Sequence, residues 1–351
     1  MRAKAPLLVL ALAGCSPPGA GSETTETAGT SSTTEAGSTA ATSAADPTTG
    51  EPAPTSSGDT PVTDSDASVT GDAGTTADPG TTGDASTTGG DVLPCNGHVE
   101  LCARPYDEVV FPMTHNSFAA TEEGFGLFNA NQIRPVAAQL ADGVRGLMLD
   151  VEMDGDSVIL CHGPCLLGEL VHLDVLADIA DFLAANPREV ITIIYQDSAP
   201  VDAIVADLAA VGLDQLAFTY AGGPFPTLGE MIAADTRLVV TAESGGPPPA
   251  WFHHVWDVAW DTPYSFNDPS EFSCELNRGD KSNPLFLLNH WVSTDLGLPS
   301  EGDAMDVNQF EVLHARAAQC MQEAGDVTNF VAVDFYEHGD LFEVVDALNG
   351  L

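Results

Sequence analysis

Two histidines, each placed directly after a short apolar run, are the residues of this chain best suited to chemistry. Val109-Val110-Phe111-Pro112-Met113-Thr114 leads into His115, and Val158-Ile159-Leu160-Cys161 leads into His162. Carboxylates stand at the same kind of position: Asp150 after Gly146-Leu147-Met148-Leu149, Asp197 shortly after the run at 190–194, and Asp334 after Phe330-Val331-Ala332-Val333. An imidazole titrates near neutrality, so two of them across one pocket can serve as general base and general acid around one phosphorus atom. The base needs a carboxylate to hold its tautomer and stabilise its charged form, and Asp334 is the candidate. A phosphodiester also needs positive charge beside its non-bridging oxygens, and the strand ends carry no obvious Arg or Lys. They carry Asn116, Asp150, Glu152 and Asp197, an all-oxygen set that suits Ca2+ or Mg2+ far better than zinc. A bound divalent cation is the expected source of the missing charge.

The elements that must position these groups are read from hydrophobic pattern. Continuous apolar runs predict buried strands at 109–114, 145–150, 157–161, 190–195, 237–242, 285–288 and 329–334. Amphipathic spacing predicts helices at 168–185, 201–211, 228–232, 310–322 and 341–348. Alternating strands and helices imply an α/β fold with a parallel sheet, and seven or more strands favour a closed barrel over an open sheet. Titratable groups just past the carboxyl ends of such strands lie where barrels of this kind place their active sites. The segment 244–284 lacks periodicity and reads as long loop structure over the mouth, with His253, His254, Trp251 and Trp256 as a lip or as ordinary loop packing. His290 is a candidate to line the pocket, and Arg145 a candidate for a structural salt bridge below it.

Composition divides the chain into three parts. Residues 1–15 have a basic start, an apolar core and small residues before Cys15, as a secretory signal does. The run Leu12-Ala13-Gly14-Cys15 also resembles the lipobox of bacterial lipoproteins, which predicts a lipidated Cys15 and attachment to the cell envelope, or else secretion. Residues 16–91 are Ser, Thr, Gly, Ala, Pro and acidic, with no aromatic and no Lys or Arg, which predicts a disordered tether reaching roughly 50 Å. Residues 92–351 have the size of one barrel domain, expected as a monomer. Ten Lys and Arg against 52 Asp and Glu give a formal charge of −42, which argues against nucleic acid as a partner. Beyond Cys15 six cysteines remain, and in an exported domain they read as the disulfides Cys95–Cys102, Cys161–Cys165 and Cys274–Cys320, with a thiol-ligated zinc site as the alternative.

Several segments are familiar together. Thr114-His115-Asn116-Ser117, Gly143-Val144-Arg145-Gly146-Leu147-Met148-Leu149-Asp150, Leu160-Cys161-His162-Gly163, Glu189-Val190-Ile191-Thr192-Ile193-Ile194 and Asn329-Phe330-Val331-Ala332-Val333-Asp334-Phe335-Tyr336 carry the likeness. Over nearly all of 93–351 the domain resembles the X-domain family of phosphatidylinositol-specific phospholipases C, most of all its plant and bacterial members without regulatory modules. The resemblance implies a distorted TIM barrel and a phosphatidylinositol or related inositol phosphodiester as substrate. It implies that His115 deprotonates the inositol 2-hydroxyl, that His162 protonates the departing diacylglycerol oxygen, and that a cyclic inositol phosphate forms first. Asp334 matches the aspartate paired with the base, and Asn116 and Asp150 match calcium ligands of the metal-dependent members. Glu152 stands where metal-independent bacterial enzymes keep an arginine. The chain departs from the pattern at Met148, in place of a glutamate ligand of the animal enzymes, and at Gln196, in place of an acidic residue that often precedes position 197. A glycerophosphodiester phosphodiesterase on a similar barrel is one alternative, although the His-Arg-Gly opening of that family is missing. The other is a surface protein that binds a ligand through a retired site.

Overall fold

A computed structural model describes residues 93–351 of the protein. The expected signal at 1–15, the lipidated Cys15 and the tether at 16–91 lie outside the described residues. In chain order, β1 (Phe111–Thr114) is followed by α1 (Val136–Asp142), β2 (Gly146–Asp154), β3 (Ser157–Leu160), β4 (Leu170–Val171), α2 (His172–Ala185), β5 (Ile191–Asp197), α3 (Val201–Ala210), α4 (Leu228–Ala233) and β6 (Leu238–Ala242). Then come β7 (Phe252–His254), β8 (Ala259–Asp261), β9 (Arg278–Gly279), β10 (Leu285–His290), α5 (Glu301–Val307), α6 (Phe310–Ala324), β11 (Phe330–Val333) and α7 (Leu341–Asn349).

Eight strands run parallel and follow chain order around a ring: β1, β2, β5, β6 and β7 in one direction, β11, β10 and β8 in the other. The ring curls without closing. Among the described residues no ladder joins β7 to β8, and β9 pairs antiparallel with β8 at that edge. Only residues 255–258 separate the two strands, whereas a parallel neighbour needs a crossover of a dozen residues or more. The molecule is therefore a TIM barrel distorted by one open seam, rather than the closed barrel that the strand count favours.

Two other expectations are corrected by the topology. The segment 244–284 is not loop alone: it supplies β7, β8 and β9. These strands escape notice because they hold two or three residues each, including His253, His254, Asp261 and Arg278, so no apolar run marks them. The strand at 157–161 is not a barrel strand. β3 turns back antiparallel on the overhanging end of β2, with Val151 opposite Leu160 and Asp154 opposite Ser157. His162 thus reaches the mouth from above, at the returning end of a hairpin.

Strand side chains alternate between two faces. Leu147, Leu149 and Val151 of β2, Ile193 and Tyr195 of β5, Val240 of β6 and Val331 and Val333 of β11 share one core cluster with Val175, Leu176, Ile179, Ile204 and Leu208 of the surrounding helices. The opposite set, Met113, Met148, Ile194, Val239, Ala259, Leu287 and Ala332, fills the barrel interior. Tyr106 closes the floor, packed on Phe111 and Phe225 with its hydroxyl 2.5 Å from Thr192 Oγ1. Carrying the inward alternation up each strand places His115, Asp150, Gln196, Glu243, Asp261, Asn289 and Asp334 at the carboxyl-end mouth.

Candidate active site

His115 and Asp334 stand side by side because their strands are in register, Thr114 opposite Val333. The chain bends sharply after each: Asn116 has φ 43° and Phe335 φ 48°, a region that non-glycine residues enter only when their surroundings hold them there. What holds them is the loop at 129–133. Asn131 accepts from Phe335 N through its backbone oxygen at 2.7 Å, accepts from Asn116 Nδ2 at 3.2 Å and donates to Asp334 Oδ1 at 3.0 Å. Gln132 Nε2 donates to the backbone oxygens of His115 and Val333. His115 Nδ1 donates to Asp334 Oδ1 at 2.8 Å, which leaves Nε2 as the acceptor nitrogen. The imidazole also stacks flat on Trp291, ring centroids 4.0 Å apart and planes 4° from parallel.

His162 shares this electrostatic neighbourhood but has none of these supports. Burial holds its imidazole below the ordinary histidine value, the charge of His115 pushes the same way, and Asp334 opposes both. Its side chain makes no hydrogen bond, ion pair or ring contact among the described residues. Its backbone is anchored through Cys161, whose N–H donates to Asp150 O at 3.2 Å, and through the disulfide Cys161–Cys165. Cys95–Cys102 and Cys274–Cys320 are the other two bridges.

The four residues expected to hold a cation separate into two groups. Asp150 points into the mouth, 8% exposed, and its carboxylate makes no hydrogen bond. Burial pushes its pKa up to about 7, opposed by His115 and reinforced by Glu243 and Glu152. Such a carboxylate has no hydrogen-bonded or ion-paired partner to offset its burial, which suits a cation. Glu152 has the same inward alternation one step further out, and Asn116 is buried with its amide nitrogen committed to Asn131 and its amide oxygen left over. Asp197 does not belong with them. It lies opposite Val151, on the outward alternation, and its two oxygens accept the N–H groups of Ser244 and Gly245 at 2.8 and 2.7 Å. The inward residue at that level is Gln196, opposite Asp150. Asp197 is thus a loop cap rather than a ligand. Among the described residues no three His, Cys, Asp or Glu side chains gather closely enough to hold a metal ion by themselves, so Asn116 and substrate or water oxygens would have to complete the set.

A cation already present on the far wall escaped the sequence reading. Arg278, on β9, donates to Glu243 Oε2 at 2.9 Å and to Asp261 Oδ2 at 2.6 Å, and so ties β6 to β8 across the seam. Its guanidinium lies over Trp256 and Tyr264, 4.2 and 4.7 Å from their ring centres. Asn289 Nδ2 adds a bond to Asp261 at 3.0 Å. No apolar run points at Arg278, because its strand holds only two residues. The remaining candidates are structural. His290 faces outward and buried, Nε2 donating to Val307 O at 2.9 Å and Nδ1 accepting from Arg316 at 3.0 Å. His253 lies within the barrel wall with Nε2 3.2 Å from Phe218 O, and Trp256 lies under Arg278, so neither forms a lip. Arg145 pairs with Glu189 at 2.8 Å below the mouth.

Comparison with known proteins adds an independent line. A family model described as PI-PLC X 1 matches residues 101–349. A PI-PLC X domain-containing protein 1 of Arthroderma benhamiae is 28% identical over 280 residues, covering 74% of this chain and 90% of its own length. A PI-PLC X domain-containing protein of Arabidopsis thaliana is 28% identical over 272 residues, 70% of this chain and 63% of its own. An uncharacterised secreted protein of Arthroderma benhamiae is 27% identical over 290 residues, 74% of this chain and 64% of its own. The chain therefore spans just under two thirds of the length of the last two. A mutant phosphatidylinositol-specific phospholipase C of Staphylococcus aureus superposes with a TM-score of 0.50 at 15% identity, over 70% of this chain and 94% of that one, which is a likeness of fold.

Proposed function

Because the chain belongs to the PI-PLC X family, we propose that it is a phosphoric diester hydrolase acting on phosphatidylinositol or a related inositol phosphodiester. One observation carries this reading: His115, bonded to Asp334 through Nδ1, keeps Nε2 for the mouth that His162 shares. In this mechanism Nε2 of His115 takes the proton of the inositol 2-hydroxyl as its oxygen attacks phosphorus. The bond to the lipid alcohol oxygen breaks, and His162 gives that oxygen a proton, leaving a cyclic phosphate and a neutral alcohol. The Asp334 carboxylate and the Trp291 face stabilise the imidazolium formed at His115. The mutual repulsion of the two imidazoles favours a singly protonated pair, which is what a base and an acid working together require. An anionic phosphodiester entering between them supplies the negative charge that keeps the proton on His162.

Arg278 and Glu243, backed by the buried Asp261, form the polar wall offered to the hydroxyls of the headgroup. Asn116, Asp150 and Glu152 would hold a divalent cation, Ca2+ or Mg2+, which when bound supplies positive charge beside the non-bridging oxygens. The described residues contain no helix long and apolar enough to cross a membrane. Export, with lipid attachment at Cys15 bringing the barrel near its substrate, is the proposed setting, supported by the leader-like residues 1–15 and by a relative named as secreted.

The test is product analysis with purified protein, a set of soluble phosphodiesters, and Ca2+ added or chelated. Cyclic inositol phosphate, lost in the chelator, is the expected result. Glycerol phosphate would turn the assignment to the glycerophosphodiesterase chemistry. Full activity in the chelator would remove the cation alone, and no product under any condition would leave a binding protein.

A further inference from the structure

The ring of His162 makes no hydrogen bond, ion pair or ring contact among the described residues, yet the reaction needs it within reach of a leaving oxygen. Something other than its side chain must hold it. Cys161 is buried and hydrogen-bonded to Asp150 O, so the loop has a fixed root on the barrel wall. Cys165, four residues on, begins a tight turn in which Leu167 N donates to Pro164 O and Gly168 N to Cys165 O. Gly168 ends the loop pressed against Phe125 and Asn129, where a Cβ would come within 2.7 Å of the Phe125 ring. Between these ends Gly163 and Pro164 are exposed, and Gly163 takes φ 68° with nothing near its Cβ position.

We propose that the Cys161–Cys165 disulfide is a positioning element of the active site, closing a five-residue loop that aims His162 at the leaving-group oxygen. The proposal rests on the phosphodiesterase reading above and assigns the bridge a role within it. Loop-closure entropy supports the distinction. A bridge between near neighbours constrains the unfolded chain least, so Cys161–Cys165 contributes less to global stability than Cys274–Cys320, which spans 46 residues. What the short bridge does instead is local: it removes the freedom of the one residue that has no other tie. The same bridge couples His162 to Asp150, since Cys161 is bonded to the backbone of one and adjacent to the other.

The test separates aiming from folding by the leaving group. A general acid matters for an alkoxide and hardly at all for a nitrophenolate, which departs unprotonated. In Cys161→Ser/Cys165→Ser, kcat for an alkyl inositol phosphodiester should fall about 100-fold, while that for the nitrophenyl ester falls less than about 3-fold. Cys95→Ser/Cys102→Ser, at the opposite end of the barrel, should leave the ratio of the two rates unchanged. Gly163→Ala, which keeps the bridge and strains the same loop, should shift the ratio in the same direction by a smaller factor. An equal loss on both substrates, or no loss on either, overturns the proposal.

A second readout does not depend on turnover. By NMR titration the His162 ring should move back towards an ordinary histidine midpoint when the bridge is removed. An unchanged His162 midpoint overturns the proposal even for a protein that turns over neither substrate, a result that would itself dismiss the functional reading.

Discussion

His115 and His162 reach the same mouth by opposite means. His115 ends a strand between two ladders, its ring held by Asp334 on one side and Trp291 on its face, with the carboxylate in turn held by Asn131. His162 sits on a hairpin return, and only the backbone on either side of it is tied. The contrast fits the roles proposed for the two residues. A base needs one tautomer and a stabilised cation, both of which take specific partners. An acid needs only reach and a proton, and partners on its ring would compete with the substrate oxygen. On the proposed assignment, the density of contacts at each histidine tracks its role.

The contrast can be broken most severely at the base. His115→Ala should lower kcat/KM about 10^4-fold on alkyl and nitrophenyl esters alike, whereas His162→Ala should spare the nitrophenyl ester, as measured by steady-state kinetics on both. Equal losses for the two variants would erase the difference in role. Asp334→Asn should keep the fold but cost about 10^3-fold in kcat, because an amide can donate to Nδ1 and select the wrong tautomer. A wild-type rate in that variant would remove Asp334 from the base.

The well-tied side also depends on a neutral His290. Its pKa is held down to about 3 by burial and by Arg316, below an unfolded value of about 6.5. The unfolded chain therefore binds the extra proton first, and stability is present above about pH 6.5 and lost as pH falls towards 3. Between pH 6.5 and 4 this should amount to on the order of 3 kcal/mol in urea unfolding. In His290→Asn the slope over that window should flatten, even though the variant is less stable throughout. The smallest effect is expected at Trp291→Leu, where loss of the ring face should lower kcat about 5-fold. An unchanged kcat would make the stack simple packing.

Reading the sequence succeeded where physics leaves a periodic trace. The apolar runs before His115, Asp150 and Asp334 are barrel strands because a strand buried on both faces must be apolar throughout. It failed where the trace is short or borrowed. β7 and β8 are three residues long and contain His253, His254 and Asp261, so no run could announce them. Asp197 ends a good run, but which face it takes follows from alternation set several residues earlier, and that face is the outer one. Asn131 lies in an irregular segment and Arg278 on a two-residue strand, and their importance comes from what the ring of strands brings next to them. Nothing in their local sequence shows it.

The open seam has a further consequence. Every ladder of the eight-strand ring joins strands within the arc 111–254, within the arc 259–333, or across the β1–β11 junction on the far side. Severing the polypeptide within residues 255–258 would therefore divide no ladder between the two pieces except the β1–β11 junction. Two separately expressed polypeptides, divided there, should reassemble into one particle held along β1 and β11 and stitched on the opposite side by Arg278, which makes this stretch the natural entry point for grafted loops or for a split reporter.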